Sequence, residues 1–325
     1  MKNLVIRKFE YTDVEAFIRL SQTSFAEESL AAGITPEDFA LETRRIFRWK
    51  MVPYKLLTAL MGVRWEAFVA EIDGRVIGGG MYIGSQNHMT LTNLMVDPAY
   101  RRQGIGQALL VKRLARLAER GFPYVTAQVL ETNKASLENL KKQGFEVFHR
   151  YSVYEHPLPL PTSQEMPIAV RDITRPDRMP FTEIEKRTAS LSVLQINGSA
   201  DNQYFQSGWQ KLFARFTGYS RWSKAVVAQG ETVGYLHADF HRKQRKGYLL
   251  QPMLLDEHLP YLPAMIQTAG AWLAEAGKQA MVVEVYDHRT LIHNTLTQNG
   301  WEKQHTWCEL VKWLDERARK TSQER

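Results

Sequence analysis

The stretch from Asn93 to Gln107, Asn-Leu-Met-Val-Asp-Pro-Ala-Tyr-Arg-Arg-Gln-Gly-Ile-Gly-Gln, constrains the fold more than any other. Leu94, Met95 and Val96 read as the end of a buried strand, which Asp97-Pro98 stops by turn chemistry and a missing N–H donor. From Gln107 to Arg120, apolar Ala108, Leu109, Val111, Leu114, Ala115 and Leu117 recur near a 3.6-residue period. Lys112, Arg113, Arg116 and Glu119 fall between them, so the spacing predicts an amphipathic helix that Gly121 ends. Gly104 and Gly106 carry no Cβ, which lets the backbone turn sharply and bring its N–H groups close to a ligand. The unbonded donors of a first helical turn and the positive end of the helix dipole favour an anion there. Arg101 and Arg102 add charge-assisted donors suited to phosphate. The combination predicts a pyrophosphate cradle; two glycines alone would leave an ordinary strand-to-helix turn standing beside it.

Arg101-x-x-Gly104-x-Gly106, preceded by Leu94-Met95-Val96-Asp97-Pro98 and followed by a helix, resembles the acetyl-CoA signature of the GNAT family of N-acetyltransferases. The resemblance continues downstream. Tyr124 to Leu130 reads as the next strand, and Asn133, Ala135, Leu137 and Gly144-Phe145 fall at the family's spacing. It implies acetyl-CoA as cosubstrate, held by Leu94, Met95, Val96, Arg101, Arg102, Gln103, Gly104, Ile105, Gly106 and Gln107. Asn133 and Ser136 would complete that set, Asn133 on the pantetheine or adenosine side. It also implies direct attack of a neutral primary amine on the thioester. Many members place a tyrosine four residues before the glycine of the Gly-Phe pair to protonate the leaving thiolate, and this chain has Leu140 there. Tyr151, Tyr154 or solvent would then have to serve as acid. Glu131, Asn93 or Thr92 with an ordered water, and His88 are the candidates for the base.

Composition narrows the partners. At 325 residues the chain is long enough for two domains of ordinary size. The one cysteine, Cys308, cannot form an internal disulfide and points to a reducing, cytoplasmic setting. The apolar run Leu56 to Val63 is too short to span a bilayer, and Met1-Lys2-Asn3-Leu4 opens into strand-like sequence, so neither membrane span nor secretory leader is expected. Of the +7 net charge, residues 1–154 hold 21 Lys plus Arg against 16 Asp plus Glu, and the remainder 21 against 19. A nucleic-acid binder would gather its excess in a patch, and the dense basic run His241 to Lys246 reads instead as a solvated hairpin tip. No nucleic-acid partner is expected. His237 and His241, or His288 and His293, lack metal-ligand spacing, so no metal is expected either.

In chain order, Leu4 to Phe9 reads as a strand and Asp13 caps a helix carrying Phe17, Ile18 and Leu20. Ser24 to Val63 follows, with Pro36 and Pro53, where the resemblance places the acceptor. Arg44, Arg45, Phe47, Arg48, Trp49 and Tyr54 make either a cationic and aromatic wall or a packed helical face. Trp65 to Ile72, Asp73-Gly74 and Val76 to Ile83 spell a β-hairpin. Thr90 to Val96 and Tyr124 to Leu130 form a parallel pair whose ends the resemblance splays apart for the pantetheine arm.

Residues 155–167 hold four prolines and read as a semi-rigid linker. Beyond it the pattern repeats. Ile168 to Ile173 restates Val5-Ile6-Arg7, and Ala225 to Tyr235 restates the hairpin. Gly78 with Gly234 and Gly144 with Gly300 are both 156 residues apart (234 minus 78, 300 minus 144). On that register Arg101, Gln103, Gly104, Gly106 and Asn133 meet Glu257, Leu259, Pro260, Leu262 and Arg289, a set that cannot cradle phosphate. The expected fold is therefore α/β (mixed α+β): two tandem GNAT-like domains, each a mixed, mostly antiparallel twisted sheet with helices on both faces. The bounds are 1–154 for the domain with the acetyl-CoA site, 155–167 for the linker, 168–314 for a degenerate domain and 315–325 for a charged tail. The second domain is left with structural work: covering a sheet edge, shaping the acceptor cleft or supporting a homodimer. The expected function is acetyl transfer to a small-molecule or peptide amine, the alternative a non-catalytic acetyl-CoA sensor or scaffold.

Overall fold

The computed structural model describes residues 3–24, 37, 40, 41, 44, 63–85, 88–161, 167–205, 214, 218–317 and 319. The chain forms two compact units, Met1–Phe148 with Cys308–Arg325, and His149–Trp307.

In the first unit β1 (Val5–Lys8), β2 (Arg64–Ile72), β3 (Arg75–Gly84) and β4 (Met89–Val96) pair antiparallel in sequence order. The β2–β3 turn is the expected one, with Asp73 and Gly74 at φ +49° and +77°. β5 (Tyr124–Leu130) then lies parallel to β4, joined to it by α2 (Ile105–Glu119). Side chains alternate between faces along β2. Ala67 and Val69 pack with Phe17, Ile18 and Leu20 of α1 (Val14–Ser24). Phe68 and Ala70 pack with Leu109, Leu110, Leu114 and Leu117 of α2. The expected layering, helices on both faces of a mostly antiparallel sheet, is the one observed.

After α3 (Lys134–Lys142), β6 (Glu146–Pro157) runs on through the residues read as the start of a linker. Leu158 and Leu160, also assigned to the linker, pack against the second unit's core. The sequence bounds at 154 and 314 are thus corrected on both sides: residues 149–154 count with the second unit and 308–317 and 319 with the first. The reason is apolar burial. Cys308 and Leu310 of β13 (Glu302–Trp313) are buried in the first core, and Leu314 N donates to Pro123 O at 2.8 Å.

The second unit repeats the plan. Its strand order is β6, β12 (Ala280–Tyr286), β10 (Lys246–Leu249), β9 (Glu231–His241), β8 (Tyr219–Ala228) and β7 (Ala169–Asp172), with the two-residue β11 (Met253–Leu254) also on β9. α4 (Arg178–Thr188) is followed by α5 (Leu191–Asn197), and α6 (Leu262–Glu275) packs on one face of the sheet and α4 on the other. Each unit opens on the same device. Arg7 donates to Asp13 at 2.7 and 2.8 Å, and Arg171 to Asp177 at 2.7 and 2.6 Å. The aspartate also receives the backbone N–H of Glu10 in one unit and of Thr174 in the other.

Two outcomes follow from these packing facts. A chain ending at residue 307 loses Cys308 and Leu310 from the first core, each burial contributing on the order of 1–2 kcal/mol. Its thermal melt should show the first unit unfolded or melting far below the full chain, and two unchanged transitions would contradict the assignment. Asp177 is buried, and its hydrogen bonds from Arg171 hold its carboxyl well below the usual carboxylate range. Its contribution is therefore complete at neutral pH and lost as pH falls below about 4. Asp177→Asn should lower stability at pH 7 by roughly 2–4 kcal/mol and flatten the acid limb of the stability curve, read by urea unfolding between pH 3 and 7.

Candidate functional site

β4 and β5 pair through Met89–Val125, Thr90–Thr126 and Leu91–Ala127, and no further. β4 continues to Val96 and β5 to Leu130, so their C-terminal ends part. A bulge on β4 coincides with the parting. Between the pairs Met81–Thr92 and Gly79–Met95, β3 spends one residue and β4 two, and Asn93 takes φ +52°. Past the bulge, Asp97 N returns to Ile77 O on β3 at 2.8 Å. By strand alternation, Leu94 and Val96 present their backbone groups to the gap.

The loop is then built residue by residue. Asp97 Oδ1 accepts from Ala99 N at 3.1 Å and starts the turn Pro98–Tyr100. Arg101 Nε donates to Val96 O at 3.1 Å and lashes the loop to β4. Gly104 caps α2 at φ +79°, the left-handed region, and a Cβ there would meet nothing within 4 Å. Ala108 N bonds back to Gly104 O at 2.9 Å, so the amides of Ile105, Gly106 and Gln107 precede the helix's own ladder. A Cβ on Gly106 would stand 3.7 Å from Val96 Cγ2, 3.9 Å from Asn139 Nδ2 and 4.0 Å from Leu94 Cδ2. Leu94, Val96 and Gly106 therefore face one another at the mouth of the gap. Side chains of Arg101, Arg102, Gln103 and Gln107 are exposed, whereas Ile105 and Met95 are buried in the cores. Ile105 and Met95 can meet a ligand only through their backbones. These donors fit a pyrophosphate in chemistry and in the space left for it.

Other expected site residues fall elsewhere or do other work. Asn133 Oδ1 accepts from Ser136 N at 3.1 Å and caps α3. Glu131 is half-buried at the gap end of β5. Leu140 packs in the first core and offers no proton. His88 sits at the opposite end of β4, roughly 26 Å along the strand from Val96 at ~3.3 Å per residue. It bonds Thr126 Oγ1 at 2.8 Å, and burial pulls its pKa down; it is not a base for this gap. Tyr151 and Tyr154 belong to the second unit, where Tyr154 Oη is bonded to His293 Nδ1 at 2.8 Å. Of the proposed acceptor wall, Arg44 pairs with Glu15 at 2.8 Å; Arg45, Phe47, Arg48, Trp49 and Tyr54 lie outside the described residues.

The second unit supplies an internal control. Gly78 pairs with Val96 and Gly234 with Leu254. The offset on this strand is thus 158 (254 minus 96), not 156. Between the equivalent pairs Ile83–Thr90 and Asp239–Tyr248 the second hairpin holds two more residues, so the counterpart of Asn93 is Gln251, two residues later than the ungapped register places it. β10 and β12 also part, beyond Leu249–Val283, but this gap is filled from within. Gln251 Oε1 accepts from Tyr286 N at 2.6 Å, and Arg289 NH2 donates to Leu254 O, the counterpart of Val96 O, at 2.8 Å. Pro263 removes a donor from the first turn of α6, and Leu262 is buried.

Sequence reasoning also missed Arg113. It was read onto the polar side of α2, yet it is 1% exposed. The signal was available: Arg113 is four residues after Leu109 and four before Leu117, on the buried stripe.

Comparison with known proteins agrees with this geometry. Residues 37–145 match the family described as Acetyltransferase (GNAT) family. The [Ribosomal protein bS18]-alanine N-acetyltransferase of Escherichia coli is 29% identical over 118 residues, 36% of this chain and 78% of that protein. A mycothiol acetyltransferase of Thermomonospora curvata is 29% identical over 168 residues, 48% of each chain. Two solved structures share the fold across nearly the whole chain. A tandem GNAT protein from the clavulanic acid biosynthesis pathway has TM-score 0.60 at 14% identity, covering 96% of this chain and 99% of its own. A GCN5-related N-acetyltransferase from Sphaerobacter thermophilus has TM-score 0.63 at 17% identity, covering 97% of both.

Gly104→Glu places a carboxylate where the cradle expects phosphate, a repulsion of roughly 2 kcal/mol at an intermediate dielectric. CoA affinity measured by calorimetry should fall at least ~30-fold, with the melting temperature lowered by only a few degrees. Undiminished binding would place the pyrophosphate elsewhere.

Proposed function

We propose that this chain, a GNAT-family acetyltransferase over residues 37–145, transfers an acetyl group from acetyl-CoA to a primary amine in its first unit. The observation that carries this reading is the contrast between the two gaps. One is lined by the strand backbone of Leu94 and Val96 beside a glycine loop whose Arg101 holds Val96 O from outside, and the other is filled by Gln251, which takes Tyr286 N, and by Arg289. Acetyl-CoA, when bound, supplies the activated acyl thioester.

Everything else is work for this chain's residues. The amides of Ile105 to Gln107, with Arg101 and Arg102, hold the pyrophosphate, while Leu94 and Val96 hold the pantetheine amides by strand-like hydrogen bonds. Fixing the donor against β4 leaves the thioester beside Asn93 and converts a bimolecular encounter into an oriented one. Glu131, at the end of β5, is the candidate to take the ammonium proton, directly or through water. With Leu140 in the core, the departing sulfur takes its proton from solvent.

The acceptor class follows the relatives only in outline. One is named for an alanine of a ribosomal protein and another for mycothiol, so a peptide α-amine or a small primary amine is the class proposed here. Leu140 favours one other reading, an acetyl-CoA sensor that binds without turnover.

Release of free CoA thiol across a panel of an N-terminal alanine peptide, spermidine, tyramine and glucosamine separates the two. Acetylation of any of these supports the enzyme, and stoichiometric binding with no release on all four supports the sensor. Glu131→Gln should lower kcat roughly 100-fold with CoA affinity unchanged, and an unaltered kcat would remove Glu131 from the mechanism.

A further inference from the structure

The buried guanidinium of Arg113 belongs to no part of the cradle. It reaches from the middle of α2 to the underside of the bulge, where NH1 donates to Met81 O at 3.0 Å and to Thr92 O at 3.2 Å, and Nε to Leu109 O at 3.3 Å. Burial lowers its pKa to about 10, so it is charged at neutral pH, and among the described residues no carboxylate offsets it. A buried cation answered only by carbonyls is costly. The sheet makes room for it at one place: a Cβ on Gly80 would stand 2.9 Å from Arg113 Cζ.

The second unit does without it. On the 156-residue helix register the buried positions Leu109, Leu110, Arg113, Leu114 and Leu117 of α2 meet Met265, Ile266, Ala269, Gly270 and Leu273 of α6. Gly80 likewise meets Leu236. In the unit whose gap is plugged, Ala269 and Leu236, both 0% exposed, fill the space apolarly. The bulge persists there, between Leu249–Ala238 and Met253–Tyr235. Arg113 is therefore not needed merely to form a bulge in this fold.

Its placement suggests another task. Thr92 and Met81 are cross-strand partners, and Arg113 NH1 bonds both carbonyls. Thr92 O therefore points towards β3. In a planar trans peptide the following N–H points the opposite way, so the Asn93 N–H is aimed at the gap between β4 and β5. A carbonyl that accepts from a charged donor makes the N–H of the same peptide a stronger donor.

We propose that Arg113 is a positioning residue for acetyl transfer: through the Thr92–Asn93 peptide it orients and polarises the Asn93 N–H toward the thioester carbonyl oxygen. This rests on the function proposed above. In the transfer, a C–N bond forms as the C–S bond breaks, the amine loses a proton to Glu131 or water, and sulfur gains one from solvent. Negative charge gathers on the carbonyl oxygen meanwhile, where a preset N–H is most effective.

The test needs no acceptor. Acetyl-CoA labelled with 13C at the thioester carbonyl is bound to the wild type, to Arg113→Lys, and to the double variant Arg113→Ala/Gly80→Leu, which imports the apolar pair of the second unit. Difference infrared spectra report the carbonyl stretch, and calorimetry reports affinity. The wild type should shift the stretch to lower wavenumber. The double variant should lose the shift while keeping affinity within about threefold, since the cradle is untouched, and Arg113→Lys should restore part of it. A full shift in the folded double variant overturns the role of Arg113 and leaves the proposed function standing. Failure of the wild type to bind acetyl-CoA overturns both.

Discussion

The proposed acetyl-CoA site depends on two parallel strands failing to pair to their ends. Past Leu91 and Ala127 the β4–β5 ladder stops, and backbone groups that an ordinary sheet would bond must find other partners. In the first unit they face a gap closed at its mouth by the glycine loop. In the second unit the same parting is resolved by Gln251 and Arg289, whose side chains take up the groups instead. One topology thus has two outcomes, set by a handful of residues: a gap bordered by a glycine loop, or a seam crossed by the side chains of Gln251 and Arg289.

The same contrast governs the surrounding cores. Gly80 and Arg113 in the first unit against Leu236 and Ala269 in the second exchange a buried cation for plain apolar packing. Ordinary packing would prefer the second solution in both places. Keeping the first beneath the bulge makes sense where a peptide must be held and polarised, and the geometry at Thr92 provides the link.

Much of this was readable from the sequence, for physical reasons that can be named. The β2–β3 hairpin was legible because Asp73-Gly74 is flanked by alternating residues, and the strand-to-helix loop because Asp97-Pro98 ends β4 and Gly104 takes the left-handed cap of α2. Tyr124–Leu130 was located to the residue. What was missed depended on tertiary context. Arg113 was counted as polar surface because its charge outweighed its place on the helix stripe. The unit boundaries were misplaced because nothing local says that Cys308 and Leu310 complete a core built from Phe68 to Phe145, far earlier in the chain. The ungapped register hid a two-residue shift, since two extra residues between the equivalent pairs of β9 and β10 are made up again before α6.

The measurement that bears most directly on this account is a crystal structure of the full chain with CoA bound. The account predicts one CoA per chain, its pyrophosphate on the amides of Ile105 to Gln107 and its pantetheine arm along Leu94 to Val96. CoA seated between β10 and β12, displacing Gln251 and Arg289, or its pyrophosphate away from Gly104, would contradict it.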